Sequence, residues 1–396
     1  MLKFRFLILL FAIISLSYSH MLGKIEPSSR CQSVNKSAYN ESQSVSLEWK
    51  SENDPLDSQD QEGQRIIQKR EGKFIYQPIS DQKGIPEWYH LQKHEVPWKM
   101  QLKYDLAYSK VLVYDVQFPS PVKSKYECNN TVHAELYLPK SLRTNWEIDK
   151  QGSSEKRFPA DEPIPAVIIL DVLAGEPILS RTLGLMFAEN GIAGLFVQMA
   201  YYGPRRPANG PKLLTTDLEH TKAGIRQTVL DCRIAAAWLE QFPGINKKRI
   251  GMIGTSLGSF MTGITGAMEP RLNKIALLLS GGGLIDAYWD HPKAKPFTKL
   301  FSQIPYAKDY AKTILAPVDP ITYAPLLKQR SILMIAASED EVVPPRAAKA
   351  LWNQTGKQQI IWIKTTHAGA VFYFPQISHQ LSQFFGESVE GQQSKN

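Results

Sequence analysis

Short apolar runs alternate with amphipathic stretches from about residue 160 to residue 385 of the 396-residue chain. The runs are apolar at nearly every position, which is typical of strands buried on both faces of a parallel sheet. Strands that alternate with helices in this way predict an α/β fold, with a mostly parallel central sheet covered by helices on both faces. The predicted strands are residues 166–170, 192–199, 249–253, 274–279, 332–336 and 359–363.

The amphipathic stretches between these runs predict helices. The longest helix covers residues 217–242, where Ile225, Val229, Cys232 and Leu239 recur at helical spacing. The other predicted helices are residues 177–190, 259–268, 345–355 and 370–385.

Two further apolar runs precede this region, at residues 110–118 and 132–138. A loop rich in proline, serine and asparagine joins them, so they predict an antiparallel start to the sheet. Residues 71–100 contain five aromatic side chains among polar ones, and we expect this part of the chain to dock on the main domain.

The chain also divides by composition. Residues 20–70 are polar and aperiodic, which predicts a flexible N-terminal segment with little to bury. Residues 71–390 are predicted to form one large domain. Within it, residues 283–328 combine aromatic residues with prolines, and they form either a small cap over the site or an irregular crossover.

The first nineteen residues have the pattern of a secretory signal peptide. Lys3 and Arg5 precede an apolar run over residues 6–16, and Ser17 and Ser19 supply small side chains before a cleavage site. We expect cleavage directly after Ser19, and hence a secreted or periplasmic protein with no membrane span after cleavage. A membrane anchor is the alternative, but the run is much shorter than the ~20 residues that span a bilayer.

Composition narrows the classes of function. The net charge of +8 comes without a tract of lysine and arginine, so we expect no nucleic-acid partner. Of the three cysteines, Cys232 lies on the apolar face of a predicted helix, so Cys31 and Cys128 are the one pair left to bridge in an oxidising compartment, and the sequence leaves open whether they do. No cluster of cysteine and histidine has the spacing of metal ligands, so we expect no metal.

The candidate chemistry centres on Ser256, which has Gly254 and Gly258 two positions away on either side. The turn lies between a predicted strand and a predicted helix, the arrangement of a nucleophile elbow. Such a turn lifts the serine Oγ at the carboxyl end of the sheet. Side chains at the two glycine positions would clash with the neighbouring strand and helix.

A serine hydroxyl needs a base to take its proton and a carboxylate to orient that base. Asp340 follows the predicted strand 332–336 and is the candidate acid, with Glu339 and then Glu341 as alternatives. His367 follows the last predicted strand and is the candidate base. The order serine, acid, histidine is the one expected of this arrangement.

An oxyanion needs backbone N–H donors. The amide of Leu257, directly after the serine, is the first candidate. The second lies in the turn after the strand 166–170, where Leu173 is favoured over Val172.

A loop over residues 200–207 follows another predicted strand. Its Tyr201, Tyr202 and Arg205 are candidate substrate-binding residues that would line a pocket and attract an anionic substrate. The alternative is a proline-rich surface loop braced by an arginine. Asp319, in the sequence Asp-Pro-Ile-Thr-Tyr, is interpreted as a turn or helix cap.

From about residue 105 to residue 385 the chain resembles the α/β-hydrolase superfamily, through the elbow, the later acid and the last histidine. The Tyr-Tyr-Gly-Pro-Arg-Arg loop and the Leu-Ser-Gly-Gly-Gly of residues 279–283 are similar to a branch of unassigned substrate, related to dienelactone-hydrolase-like and acetyl-esterase members. The resemblance implies that Ser256, Asp340 and His367 are nucleophile, acid and base, and that no cofactor is used. Asp171 stands where many relatives have histidine, and the chain lacks the lipase His-Gly signature.

These features predict a secreted serine hydrolase that acts on carboxylic esters through an acyl-enzyme, with a small-molecule or acylated substrate. A serine peptidase on the same fold is one alternative. A non-catalytic binding protein on a hydrolase scaffold is the other.

Overall fold

The computed structural model describes residues 58–59, 65–66, 69–79, 82–105, 108–142, 163–173, 177–215, 217–289 and 305–387. The predicted signal peptide of residues 1–19 and Cys31, and with it a disulfide to Cys128, lie outside the described residues. They stay predictions.

The described residues form a ten-stranded sheet in the order β10-β9-β8-β7-β5-β6-β4-β3-β2-β1. A separate pair of two-residue strands, Ser58–Gln59 and Arg65–Ile66, lies within the segment predicted to be flexible. The ten strands are β1 (Lys69–Tyr76), β2 (His94–Asp105), β3 (Val111–Pro119), β4 (Thr131–Pro139), β5 (Ile164–Leu170), β6 (Ala193–Val197), β7 (Ile245–Thr255), β8 (Leu272–Leu278), β9 (Ser331–Ala337) and β10 (Gln359–Ile363).

The sheet has two halves of different kind. Strands β5 to β10 are mutually parallel, whereas β1 to β4 pair antiparallel with one another and β4 pairs antiparallel with β6. The mostly parallel sheet and its antiparallel start are therefore confirmed. Because β5, β7, β9 and β10 run in one direction, the loops that follow them meet at one edge of the sheet.

Helices follow the parallel strands and cover both faces of the sheet. The side chain of Asp217 caps the longest helix by accepting hydrogen bonds from the amides of Glu219 and His220 at 3.0 and 3.2 Å. Among the described residues, no helix combines the length and apolar character needed to cross a bilayer. The helices are α1 (Ile178–Glu189), α2 (Leu218–Gln241), α3 (Leu257–Met268), α4 (Leu284–Trp289), α5 (Ala307–Leu315), α6 (Pro345–Gln354) and α7 (Phe374–Gly386).

One predicted helix is divided in two. Residues 370–385 were expected to be continuous, but a 3-10 turn over Ala368–Tyr373 comes first and α7 starts at Phe374. Pro375 lies in the first turn of α7, where its missing N–H costs no helical hydrogen bond, so it favours a helix start at that point.

The core has two layers because successive strand residues point to opposite faces. Ile168 and Met252 pack in the layer beneath α2 and α3, whereas their neighbours Ile169 and Ile253 pack in the layer beneath α1 and α7. Each of these side chains is fully buried. This is why the parallel strands are apolar throughout.

Strands β1 and β2 extend the sheet where the sequence interpretation expected only docked aromatic residues. On β2, Val96, Trp98 and Met100 are buried while the residues between them are exposed. This period of two was present in the sequence, but Pro97 lies in the middle of it and proline is unusual inside a strand.

Candidate active site

Ser256 lies between the end of β7 and the start of α3 with a left-handed backbone, φ 53° and ψ −116°. A residue other than glycine rarely adopts this conformation, and such strain concentrates at functional sites. The Ser256 amide donates a hydrogen bond to the carbonyl oxygen of Leu278 on β8 at 2.9 Å, which ties the turn to the sheet.

The two flanking glycines are required by close backbone contacts. A Cβ atom at Gly254 would lie 2.3 Å from the carbonyl oxygen of Gly258. A Cβ atom at Gly258 would lie 2.4 Å from the carbonyl oxygen of Asp171, in the loop after β5. The elbow and the β5 loop are therefore packed directly against each other.

Asp340 lies in the loop after β9, and its carboxylate is fixed by two backbone amides. Oδ1 accepts hydrogen bonds from the amides of Val342 at 2.8 Å and Val343 at 2.7 Å. These two hydrogen bonds fix Oδ1 and leave Oδ2 directed at a third partner.

That partner is His367, which follows β10. Its Nδ1 lies 2.7 Å from Oδ2 of Asp340, and its Nε2 lies 3.0 Å from Oγ of Ser256. Since the carboxylate only accepts, Nδ1–H donates to it, and the unprotonated Nε2 accepts from the serine hydroxyl; this tautomer is assigned from the network. The structure thus brings Ser256, Asp340 and His367 together, each at most 5% exposed.

The two alternative acids lie elsewhere. The side chain of Glu339 is exposed, and its backbone amide donates to the carbonyl oxygen of Thr365 at 3.0 Å. Glu341 accepts a long hydrogen bond of 3.4 Å from the backbone amide of His367, not from its ring. Of the three acidic residues, Asp340 is the one at the imidazole.

The candidate oxyanion donors are backbone amides beside Ser256. Leu257 is the first residue of α3, so its amide has no acceptor within the helix. The amide of Val172 donates to Oδ1 of Asp171 at 2.9 Å, which favours Leu173 as the second donor. Both Leu257 and Leu173 line the cavity described next.

A cavity opens beside Ser256 and encloses about 660 Å³ of empty space, counted out to the solvent at its mouth. Among the described residues that line it, Ser256, Tyr288 and Asp319 have polar side chains and none has a positive charge. Burial raises the pKa of the Tyr288 phenol, and the nearby Asp340 carboxylate raises it further. The apolar walls include Ile225, Phe260, Met261, Leu284, Leu315 and Val343.

The described parts of the predicted cap segment, residues 283–289 and 305–328, form one wall of this cavity through α4, α5 and the turns after α5. Asp319 organises the wall, because its carboxylate accepts hydrogen bonds from the amides of Gly283, Leu284 and Ile321 at 3.0 to 3.1 Å. Burial raises the Asp319 pKa, and these hydrogen bonds oppose the rise. The interpretation of Asp319 as a cap is confirmed.

The prediction that Arg205 binds substrate is wrong. The alternative, a surface loop braced by an arginine, is closer, because Gly203 and Pro204 are exposed while Arg205 braces the loop from inside. Arg205 is 0% exposed, and its guanidinium pairs with the equally buried Asp231 at 2.8 Å. Tyr201 is also buried, with its ring 4.6 Å from that of His220. Neither Tyr201 nor Tyr202 lines the cavity, and none of the described residues that line it carries a positive charge to attract an anionic substrate.

No group of three or more histidine, cysteine or acidic side chains in the described part of the chain is placed to hold a metal ion. The polar groups at the site are those of acid–base and nucleophilic chemistry.

Comparison with known proteins gives two kinds of similarity. The sequence model of the prolyl oligopeptidase family matches residues 222–370, a segment that contains Ser256, Asp340 and His367. Two uncharacterised proteins of Mycobacterium tuberculosis, from strains CDC 1551 / Oshkosh and ATCC 25618 / H37Rv, are each 24% identical over 184 residues. Those residues are 46% of this chain and 43% of each relative, so the match spans less than half of these proteins.

The fold is similar to that of two acetyl xylan esterases of known structure. The enzyme from Thermoanaerobacterium sp. JW/SL YS485 aligns with a TM-score of 0.51 and 18% identity, over 73% of this chain and 88% of its own. The enzyme from Paenibacillus sp. R4 aligns with a TM-score of 0.53 and 15% identity, over 72% and 88%. The chain therefore has the α/β-hydrolase fold.

Proposed function

We propose that this protein hydrolyses carboxylic esters, with Ser256 as nucleophile, His367 as base and Asp340 as the acid that orients it. The observation that carries the proposal is the hydrogen-bonded chain from Asp340 through His367 to Ser256 at the wall of an apolar cavity. Each heavy-atom separation is within the range for proton transfer.

In the proposed reaction, Nε2 of His367 takes the proton of Ser256 as Oγ attacks the ester carbonyl carbon. The amides of Leu257 and Leu173 hold the resulting oxyanion, and Asp340 stabilises the imidazolium. The carbon–oxygen bond to the alcohol then breaks, and His367 gives its proton to the leaving alkoxide. Water, deprotonated by the same histidine, attacks the acyl-enzyme and releases the carboxylic acid and Ser256.

A serine peptidase is the second candidate, because the family match is to the prolyl oligopeptidases. The cavity favours an ester. Its described walls hold no cation to bind a peptide carboxylate, and the carboxylate of Asp319 is engaged with three backbone amides.

A fluorophosphonate probe tests the nucleophile directly. We expect the purified protein to be labelled at Ser256 and the Ser256→Ala variant to remain unlabelled. If wild-type protein that is folded, as shown by a cooperative melting transition, stays unlabelled, the proposed nucleophile is contradicted and a non-catalytic binding role remains. Activity on p-nitrophenyl esters rather than aminoacyl nitroanilides then separates esterase from peptidase.

We also propose that the hydrolase is exported, on the pattern of Lys3, Arg5 and the apolar run that follows. The intact mass of the protein recovered outside the cytoplasm tests this. A mass that corresponds to a chain starting at residue 20 supports export with cleavage. A mass that includes Met1 contradicts cleavage.

A further inference from the structure

The connection between β1 and β2 is held against helix α2 by two arginines of that helix. Arg233 donates to the carbonyl oxygen of Tyr89 and, at 3.3 Å, to Oε1 of Gln82. Arg226 donates to the carbonyl oxygen of Trp88 and lies over its ring, 5.7 Å from the centroid. The backbone of this connection is therefore fixed where it crosses the helix.

Arg233 is itself fixed by a buried ion pair. Its Nε lies 3.2 Å from Oε2 of Glu269, and both side chains are at most 1% exposed. Arg271 pairs with the same carboxylate at 2.8 Å and donates to the carbonyl oxygen of Gln77 at 2.6 Å. Removing one partner of a buried ion pair is costly, so the contacts with Glu269 hold Arg233 in place. Arg233, Arg271 and Glu269 form the anchor of the β1–β2 connection.

The side chain of Tyr89 passes from this anchor to the wall of the cavity. Its ring is fully buried and packs edge-on against Tyr323, with centroids 5.8 Å apart. Its hydroxyl donates to the carbonyl oxygen of Pro317 at 2.7 Å, and the hydroxyl of Tyr323 donates to the same oxygen at 3.1 Å.

Pro317 directly precedes two residues that line the cavity, Val318 and Asp319. Asp319 in turn holds the amides of Gly283 and Leu284 at the start of α4. A continuous set of contacts therefore runs from the anchored connection, through Tyr89, to the wall that faces Ser256.

We infer that the cavity binds the apolar substituent of an ester and that Tyr89 is a positioning residue that fixes its depth. The inference rests on the proposed function. The substituent lies on the acyl or the alcohol side of the ester, and both fit the same apolar walls. Tyr89 acts through residues 317–319 and does not itself line the cavity.

The experiment measures kcat/KM for two ester series of increasing chain length, one varied in the acyl group and one in the alcohol. In one of the series we expect wild-type kcat/KM to rise about three- to fourfold per methylene up to a limit, since each methylene leaves water for an apolar wall. Val318→Phe narrows the cavity, and we expect it to lower that limit.

Tyr89→Phe keeps the ring but removes the hydrogen bond to Pro317. We expect it to reduce the preference for the best ester over the acetate by about two- to tenfold, the range for loss of one hydrogen bond, mainly through KM. Tyr323→Phe, which removes the second hydrogen bond to the same oxygen, should act in the same direction. Tyr104→Phe is the matched control, because Tyr104 is an exposed residue of β2.

The outcomes separate the inference from the function on which it rests. If the protein is labelled but Tyr89→Phe changes the chain-length profile no more than Tyr104→Phe does, the positioning role is overturned. This holds even if Tyr89→Phe lowers the melting temperature. Labelling without any chain-length preference in either series would overturn the assignment of the cavity. Failure to label Ser256 would overturn the proposed function itself.

Discussion

Two of the buried carboxylates in this protein lie at almost the same distance from a nitrogen-containing side chain. Asp340 lies 2.7 Å from His367, and Asp231 lies 2.8 Å from Arg205. All four side chains are at most 5% exposed. The two pairs differ in the other contacts of the nitrogen-containing side chain.

His367 presents its second nitrogen to Ser256 at the cavity. Arg205 instead donates to the backbone carbonyl oxygens of Gln198 and Asn129, both at 2.9 Å. Burial and pairing are therefore common to both pairs, and neither marks a reactive site. What distinguishes the first pair is a nucleophile and open space next to it.

The largest expected effect comes from Asp340→Asn. The amide cannot stabilise the imidazolium or hold the same histidine tautomer, so we expect kcat on a p-nitrophenyl ester to fall by about 10⁴-fold. The melting temperature should change little, because the Asn oxygen can still accept from the amides of Val342 and Val343. A fall in stability with kcat per folded molecule preserved would contradict the role assigned to Asp340.

Asp231→Asn should do the opposite. It leaves the Arg205 charge buried without its counter-ion, so we expect the free energy of unfolding to fall by about 3–5 kcal/mol. Activity per folded molecule should be retained. Chemical denaturation and kcat at a permissive temperature measure both quantities.

The double variant Arg205→Met with Asp231→Leu is the control for this prediction. Replacing both charges by apolar groups removes the unpaired buried charge and should recover part of the lost stability; the recovery is incomplete because the carbonyl oxygens of Gln198 and Asn129 lose a donor. If the double variant instead lost activity while folded, Arg205 would have a part in the chemistry after all.

A smaller effect concerns His133, whose pKa is lowered to about 4 by burial and by the nearby Arg205 charge. Lys99 lowers it further, while Asp115 opposes the shift. The ordinary pKa of histidine is 6.5, so between pH 6.5 and about pH 4 His133 binds a proton in the unfolded chain but not in the folded chain. The free energy of unfolding therefore falls as the pH falls through this range.

The comparison of wild type with His133→Gln measures this contribution. From pH 7 to pH 4.5 we expect wild type to lose about 1–3 kcal/mol more unfolding free energy than the variant. Equal losses in denaturant titrations of the two proteins would show that His133 is not the group responsible.

The smallest expected effect is that of Tyr202→Phe. Tyr202 was a candidate for substrate binding, yet it does not line the cavity. We expect KM and kcat to stay within about twofold of wild type, as for a surface change away from the site. A larger change in KM would return the loop of residues 200–207 to the substrate site.

Much of the parallel half could be predicted because its signals are local. An apolar run of five to seven residues followed by an amphipathic stretch predicts one strand and one helix without reference to the rest of the chain. The elbow can also be recognised from its own residues, because the close contact of Gly254 with Gly258 lies within the turn, although Gly258 also contacts Asp171 of the distant β5 loop. Asp340 and His367 could be found because parallel strands end at one edge.

The remaining features depend on partners that are distant in the sequence. The partner of Arg205 is Asp231, which belongs to α2 and is distant in the sequence. Since this partner cannot be read from the loop, the composition of the loop alone suggested an exposed segment that carries a cation. The contact of Tyr89 with Pro317 joins residues 228 positions apart, and no local pattern indicates it. Sequence patterns therefore found the residues of the proposed chemistry and the segment that forms one wall of the cavity, but not the contact through Tyr89 that supports this wall.

The segment that matches the prolyl oligopeptidase family begins at residue 222, whereas Tyr89 belongs to an earlier, separately anchored part of the chain. Most of the described residues that line the cavity lie inside the matched segment, so the contact of Tyr89 with Pro317 joins that segment to a part of the chain outside it. Under the proposed function, a substitution at Tyr89 would therefore change substrate fit from outside the segment that carries Ser256, Asp340 and His367.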